Sequence, residues 1–326
     1  MTSLIMRPYQ RGGKDYYWFA LGGANLDDSK VTSDRNALVD SFYEIIGKRY
    51  IEFGELRACT PWTANVRMVN KFSEGRVFVV GDAAHVHSPT GGQGLNSGVQ
   101  DSINLGWKLS LVQNGLADRS LLDSYSQERL PIIAAMLDKT TNLMNKTFHK
   151  STSGIGAGGW LRDWELKQFG INYRGGPLLV DERYRDLDEP VDPYRSGHDG
   201  TAHAGDRAPS APGLVVPGEE TRRCLYDLFD VVAHTILVFC RPTSSLHLEV
   251  AKVLSGYNGR LVKAVIIHPQ DAAQTSLETK SVQMFIDTEG HAYKHYKVQK
   301  DEESVVVVRP DAASLRFTLP TSRSID

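Results

Sequence analysis

Asp82 and the glycines that follow it are the residues with the clearest chemical meaning in this sequence. Asp82 closes the apolar run Val77-Phe78-Val79-Val80-Gly81, and His85, His87, Pro89, Gly91, Gly92 and Gly94 come after it, before a helical pattern begins. An aspartate at the carboxyl end of a buried strand, followed by a glycine-rich loop and then a helix, is the usual address of a ligand site in α/β proteins. The glycines let the backbone take left-handed φ and approach a flat ligand closely, and Pro89 stiffens the path. A helix starting near Gly94 would point its first N–H groups and its positive dipole end at the same loop, which favours an anionic or electron-rich acceptor. His85 and His87 have no third metal ligand at a recognisable spacing. They are expected to sit beside or beneath the ligand, and no metal site is expected.

The elements that must position these residues follow from apolar spacing. Val77 to Val80 is continuously apolar and β-branched or aromatic, the pattern of a strand buried on both faces of a sheet. Leu95, Val99, Ile103, Leu105, Leu109 and Val112 recur at helical spacing, predicting a helix that packs on that sheet and stops at Asn114-Gly115. A second helix is predicted from about Asp118 through Tyr125, Leu130, Ile133, Leu137 and Leu143, kinked at Pro131.

The stretch GDAAHVHSPTGGQGLNSGVQDSINLGWKL (Gly81 to Leu109) resembles the second flavin-binding motif of the FAD-dependent aromatic hydroxylases, the class of p-hydroxybenzoate and phenol hydroxylases. The likeness continues through SYSQERLP, Ser124 to Pro131. It implies that Asp82 accepts from the ribityl hydroxyls of FAD and that Pro89 borders the reactive edge of the ring. It also implies that Gly92, Gln93, Gly94, Leu95 and Asn96 place main-chain N–H groups against the pyrimidine end, where charge collects on reduction. The implied reaction is hydroxylation of a phenolic or other aromatic substrate with O₂, using NADPH or NADH as electron source. No catalytic side chain is singled out.

The family's N-terminal βαβ unit with its GxGxxG turn is not seen before Arg76. The one matching string, GIGAGG at Gly154 to Gly159, follows a helical pattern and reads as a loop. The chain therefore reads as the carboxyl-terminal part of a longer hydroxylase, one that holds FAD poorly by itself. The alternative, from another functional class, is a non-catalytic fragment that binds a partner or dimerises.

The fold class expected is α/β, a partial FAD-binding hydroxylase domain followed by a thioredoxin-like domain. Residues 1–150 are assigned to the flavin and substrate part, 151–204 to a linker rich in Gly, Pro, Arg and Asp, and 205–326 to the thioredoxin-like domain. In the first part Tyr16–Leu21 reads as a strand, Ser33–Ile46 as a helix capped by Ser33, and Ile51–Phe72 as one or two strands. The resemblance puts sheet of this kind over the substrate side of the flavin, yet no spacing singles out Arg57, Trp62 or Arg67, for which packing is the expectation. In the last part GDRAPSAPGL, Gly205 to Leu214, resembles the entry to the carboxyl-terminal domain of phenol-hydroxylase-like enzymes. Strands are predicted at His234–Phe239, Leu261–Ile267, Val282–Ile286 and Ser304–Val308, with a helix at Ser245–Leu254 and a turn at Glu289-Gly290.

Cys59, Cys224 and Cys240 are too scattered for a disulfide framework or a CxxC pair, so thioredoxin chemistry is not expected. A net charge of −2 gives no reason to expect nucleic acid or an anionic membrane as partner. No apolar run has the length of a signal peptide core or a spanning helix, and the protein reads as cytoplasmic, with a homodimer through either domain left open.

Overall fold

The computed structural model describes residues 2–23, 26–63, 65–88, 91–149, 164–184, 191–195, 200–271 and 282–318. The chain forms two compact units: residues 1–65 with 143–160, and residues 66–142 with 161–326.

The first unit opens with a hairpin, β1 (Thr2–Arg11) against β2 (Lys14–Gly23), in register from Thr2↔Gly23 to Arg11↔Lys14. Gly12 and Gly13, at φ 59° and 73°, make its turn. Two consecutive left-handed residues match the twist of the strands, and glycine takes that conformation without strain. Two helices follow, α1 (Asp28–Ser33) and α2 (Arg35–Ile46). Ser33 is not the cap of α2. Its hydroxyl donates to Ser29 O at 2.7 Å inside α1, while the Asp34 carboxylate accepts from Asn36 N–H at 2.8 Å. Asp is as good a cap as Ser, and the adjacent residue already had the free carboxylate. Phe42 of α2 meets Phe19 of β2 and Phe53 edge-on, at ring separations of 5.2 and 4.9 Å. The strands expected over Ile51–Phe72 reduce to β3 (Arg67–Met68), at the start of the second unit; residues 51–63 have no ladder.

In the second unit β4 (Ser73–Glu74) and β5 (Val77–Phe78) form a short hairpin. The strand expected to be buried on both faces is thus two residues long, and Val77 is 66% exposed. β-branched residues favour the extended backbone, but among the described residues only Ser73–Glu74 pairs with it. β3 pairs with β6 (His85–Val86). Then come α3 (Gly94–Gln113), ending at Asn114 and Gly115, and α4 (Asp123–His149), which contains Pro131. Asp118 caps the 3₁₀ turn before α4 by accepting from Ser120 N–H. Tyr125, Ile132, Ile133 and Met136 of α4 pack with Leu105 of α3 and Phe72.

The rest is an eight-stranded sheet. Its strands are β7 (Val180–Asp181), β8 (Leu214–Val215), β9 (Arg222–Arg223), β10 (His234–Phe239), β11 (Val262–His268), β12 (Val282–Asp287), β13 (Ser304–Val308) and β14 (Ser314–Phe317), with α5 (Leu246–Leu254) after β10 and α6 (His291–Tyr296) after β12. Their order is β7-β14-β13-β10-β11-β12-β8-β9. β10, β11 and β12 run parallel; β13 is antiparallel to β10 and β14 to β13. Residues alternate between faces, so Leu237, Phe239, Val265 and Ile267 bury with Tyr296 of α6, while Val238 and Ile266 bury with Leu246, Val250 and Leu254 of α5. β7 comes from the segment read as a linker and pairs in parallel with β14, Val180 opposite Arg316 and Asp181 opposite Phe317. GIGAGG lies outside the described residues.

The helices and this sheet are locked by buried charge. Arg309, just after β13, donates to both Glu128 oxygens at 2.6 and 2.9 Å and to Asp311. Lys108 of α3 donates to the same carboxylate at 2.8 Å, as does Asn104 at 2.7 Å. Burial works to raise the Glu128 carboxyl, but Arg309 and Lys108 outweigh it and hold the group down at about 2. Burial pulls Lys108 down to about 8 in spite of that partner.

Candidate functional site

A groove of about 690 Å³ lies between the Val80–Asp82 turn and the first half of α3. Gly81 and Gly98 line it where the turn comes close to the helix: a Cβ on Gly98 would lie 3.3 Å from Gly81 Cα. Gly81 has φ 54° and opens a 3₁₀ turn, Gly81–Ala83, which turns the Asp82 side chain outward. Asp82 is exposed and its carboxylate has no hydrogen bond or ion pair among the described residues. Across the groove stand Gly94 and Leu95, at the start of α3. The first intrahelical bond there is Ser97 N–H to Gln93 O at 2.9 Å, so the N–H groups of the turn before it have no helical acceptor.

The expected site residues are therefore only partly brought together. Asp82, Gly94 and Leu95 line the groove. Gly92, at φ 64°, and Asn96 are exposed beside it, and the Asn96 side chain donates to Gly92 O at 3.5 Å. Pro89 lies outside the described residues. Gln93 turns inward: its fully buried amide donates to Gly91 O at 2.7 Å and Leu166 O at 2.9 Å and accepts from Gln168. Its side chain holds the glycine loop against residues 164–168, and only its backbone is available to a ligand.

Of the apolar positions of α3 that were expected to pack, Leu105 does, but the first half of the stripe does not. Leu95 is 81% exposed, Val99 48% and Ile103 52%, while Ser97, Asp101, Asn104 and Lys108 are buried. Polar side chains win the inner face because each charged one is saturated there. Asp101 accepts from Arg129 Nε at 2.7 Å, from His85 at 2.7 Å and from Gly81 N–H at 3.1 Å. Burial pushes the Asp101 carboxyl up, but His85 and Arg129 reverse this and hold it below the usual carboxylate range. His85 thus sits under the turn that carries Asp82, and His87 bonds Ser88 O through Nδ1 at 2.7 Å. Asp101, Glu128, Arg129 and Arg309 were not anticipated. The available signal was Asp101, Asn104 and Lys108 at i, i+3 and i+7, one face of a helix written in polar residues.

Residues 2–140 match the family described as FAD binding domain. The chain is 38% identical over 199 residues to a flavin-dependent monooxygenase of Mycobacteroides abscessus, covering 61% of this chain and 37% of that one. It is 31% identical over 270 residues to pentachlorophenol 4-monooxygenase of Sphingobium chlorophenolicum, covering 78% and 45%. The chain is thus similar in sequence to known monooxygenases, and over residues 2–140 to an FAD binding domain. Among solved structures, the flavin-dependent monooxygenase PieE in complex with FAD and substrate superposes with a TM-score of 0.70 at 23% identity, over 95% of this chain and 55% of that one. This last likeness is one of fold. The chain spans less than half the length of both relatives.

The groove suits the ribityl and ring part of a flavin. A free carboxylate can accept from ribityl hydroxyls, and unbonded N–H groups at a helix start can donate to the ring's electron-rich end. Glycine where the turn comes close to the helix keeps the floor clear of side chains. No group of three or more metal-ligating side chains occurs among the described residues.

Proposed function

We propose that this chain works in a FAD-dependent monooxygenase that hydroxylates a phenolic or other aromatic substrate with O₂ and NADPH or NADH. The observation that carries the reading is the unpartnered Asp82 carboxylate facing the start of α3 across a glycine-floored groove. When bound, FAD would take two electrons from the nicotinamide nucleotide and activate O₂ for insertion into the ring. The chain's own part is to bind and orient. Asp82 accepts from the ribityl chain, with Gly92, Gln93, Gly94, Leu95 and Asn96 contributing backbone N–H groups. Positive charge from those N–H groups and the helix dipole favours the reduced, more negative flavin, which makes its reduction easier. The pentachlorophenol enzyme among the relatives supports a phenolic substrate. The parallel β10-β11-β12 core with α5 and α6 is in keeping with a thioredoxin-like module at residues 205–326. Its Cys240 thiol is fully buried and pushed up by burial to about 12, which supports a non-redox role.

The test is oxygen incorporation. The chain with FAD added in excess is assayed against a panel of phenols with NADH and NADPH under ¹⁸O₂. Phenol-stimulated nucleotide oxidation with one labelled atom in the product is expected. Intact bound flavin with no stimulation and no label across the panel would refute the reading.

A further inference from the structure

We propose that Asp101 is the residue that positions Asp82 for its ligand, acting through the Gly81 N–H. The proposal rests on the flavin reading of the groove for the identity of that ligand. The geometry behind it does not.

Asp101 is fully buried and does not line the groove, but it bonds Gly81, which does. Its Oδ2 accepts the Gly81 N–H at 3.1 Å, and Gly81 is the residue before Asp82. A left-handed residue with its N–H tied to a buried charge has little freedom, so the direction in which Asp82 leaves the turn is set from below. The same oxygen takes His85 Nε2 at 2.7 Å. A carboxylate only accepts, so the His85 ring presents an N–H at Nε2 to it, while Nδ1 is buried with no partner among the described residues.

The other oxygen is fixed by Arg129. Its Nε donates to Oδ1 at 2.7 Å, and the rest of the guanidinium reaches back to α3 at Gln100 Oε1 (3.3 Å) and Ser97 O (3.4 Å). Asp101 therefore cannot rotate away from Gly81 without stranding a buried arginine. With three donors in place its buried carboxylate is held as an acceptor on both oxygens, which suits it to orientation.

The arrangement also sets a distance. Asp101 and the N–H groups at Gly94 and Leu95 belong to one helix, α3. The bond to Gly81 joins the Asp82 turn to that helix, so both poles of the groove, acceptor and donors, are carried in one rigid frame. Preorganisation of this kind raises affinity by removing the cost of ordering the turn on binding.

Two readouts test it, one without ligand. In Asp101→Ala, hydrogen exchange at the Gly81 amide should speed up by about tenfold or more, the loss expected for one charge-assisted bond, while amides in the middle of α3 and α4 keep their protection. Riboflavin serves as the probe for the second, titrated against the full chain by fluorescence. Its affinity should fall about tenfold in Asp101→Asn, which retains size and one acceptor, and the same substitution should add little in an Asp82→Ala background. Unchanged Gly81 exchange in a folded Asp101→Ala chain overturns the proposal. So does riboflavin binding that is lost in Asp82→Ala but kept in folded Asp101→Asn, or two losses that simply add. A wild-type chain that fails to bind riboflavin overturns the flavin reading and the assignment of a ligand to Asp82 along with it.

Discussion

Replacing Arg309 with methionine should be among the most damaging single changes this chain can suffer, although Arg309 is outside the groove. The guanidinium is 1% exposed and makes two hydrogen bonds to Glu128 and two to Asp311. Its Cζ also lies over the Trp107 and Tyr173 rings, 5.2 and 5.0 Å from their centres. Methionine fills most of the volume but leaves Glu128 with Lys108 and Asn104, and Asp311 without its cation. Breaking one partner out of a buried ion pair costs about 3–5 kcal/mol, because the remaining charge stays desolvated. A unit of this size loses about 2–4 °C of melting temperature per kcal/mol, so a fall of roughly 6–20 °C is expected. Arg316→Met is the comparison, since Arg316 pairs with Glu182 while 49% exposed; screening by solvent limits that loss to under about 1 kcal/mol. Urea unfolding of both variants decides it. If Arg309→Met shifts the midpoint no further than Arg316→Met, the cluster is not the lock between helices and sheet. A cycle with Glu128→Gln adds a check: the double variant should lose clearly less than the sum of the two single losses.

Acid should unlock the same cluster. Glu128 is held down at about 2, so its contribution is present above its unfolded value near 4.5 and is lost as pH falls from there toward 2. The midpoint of urea unfolding should drop across that window in the wild type and less in Glu128→Gln; a flat profile between pH 5 and 2.5 contradicts the assignment. Gly94→Val should cost roughly 1–3 kcal/mol by overpacking, because a Cβ there would meet His87 Nε2 at 3.0 Å, and riboflavin affinity should fall with it. Thermal melting and a fluorescence titration measure the two effects, and unchanged values in both would mean the loop yields freely. Cys240 should support no insulin reduction, with or without Cys240→Ser, given a thiol raised to about 12; reductase activity abolished by that substitution overturns the non-redox reading.

Where the pattern was local, it could be read from the sequence. β10, α5, β11, β12 and β13 fall within a residue or two of their expected bounds, because continuous apolar runs and a 3.6-residue period leave few alternatives. The start of α3 at Gly94 and its end at Asn114-Gly115 were legible from glycine chemistry. Its orientation was not. Periodicity says that a helix has an apolar face, and burial of that face is the ordinary outcome, but here Asp101, Asn104 and Lys108 find partners from distant segments: Gly81, His85, Glu128, Arg129 and Asp311. Pairings of that range have no local signature. Gln93 illustrates the same limit at the site, since nothing nearby in sequence announces that its amide will be taken by Leu166 and Gln168.

The most direct test of the account is a hydrogen-exchange map of the chain with and without saturating riboflavin. Added protection should concentrate at Gly81-Asp82 and at Gly94 to Asn96, the two poles of the groove, and should vanish in Asp82→Ala. Protection that appears elsewhere, or that survives the loss of Asp82, would contradict the placement of the flavin between this carboxylate and the start of α3.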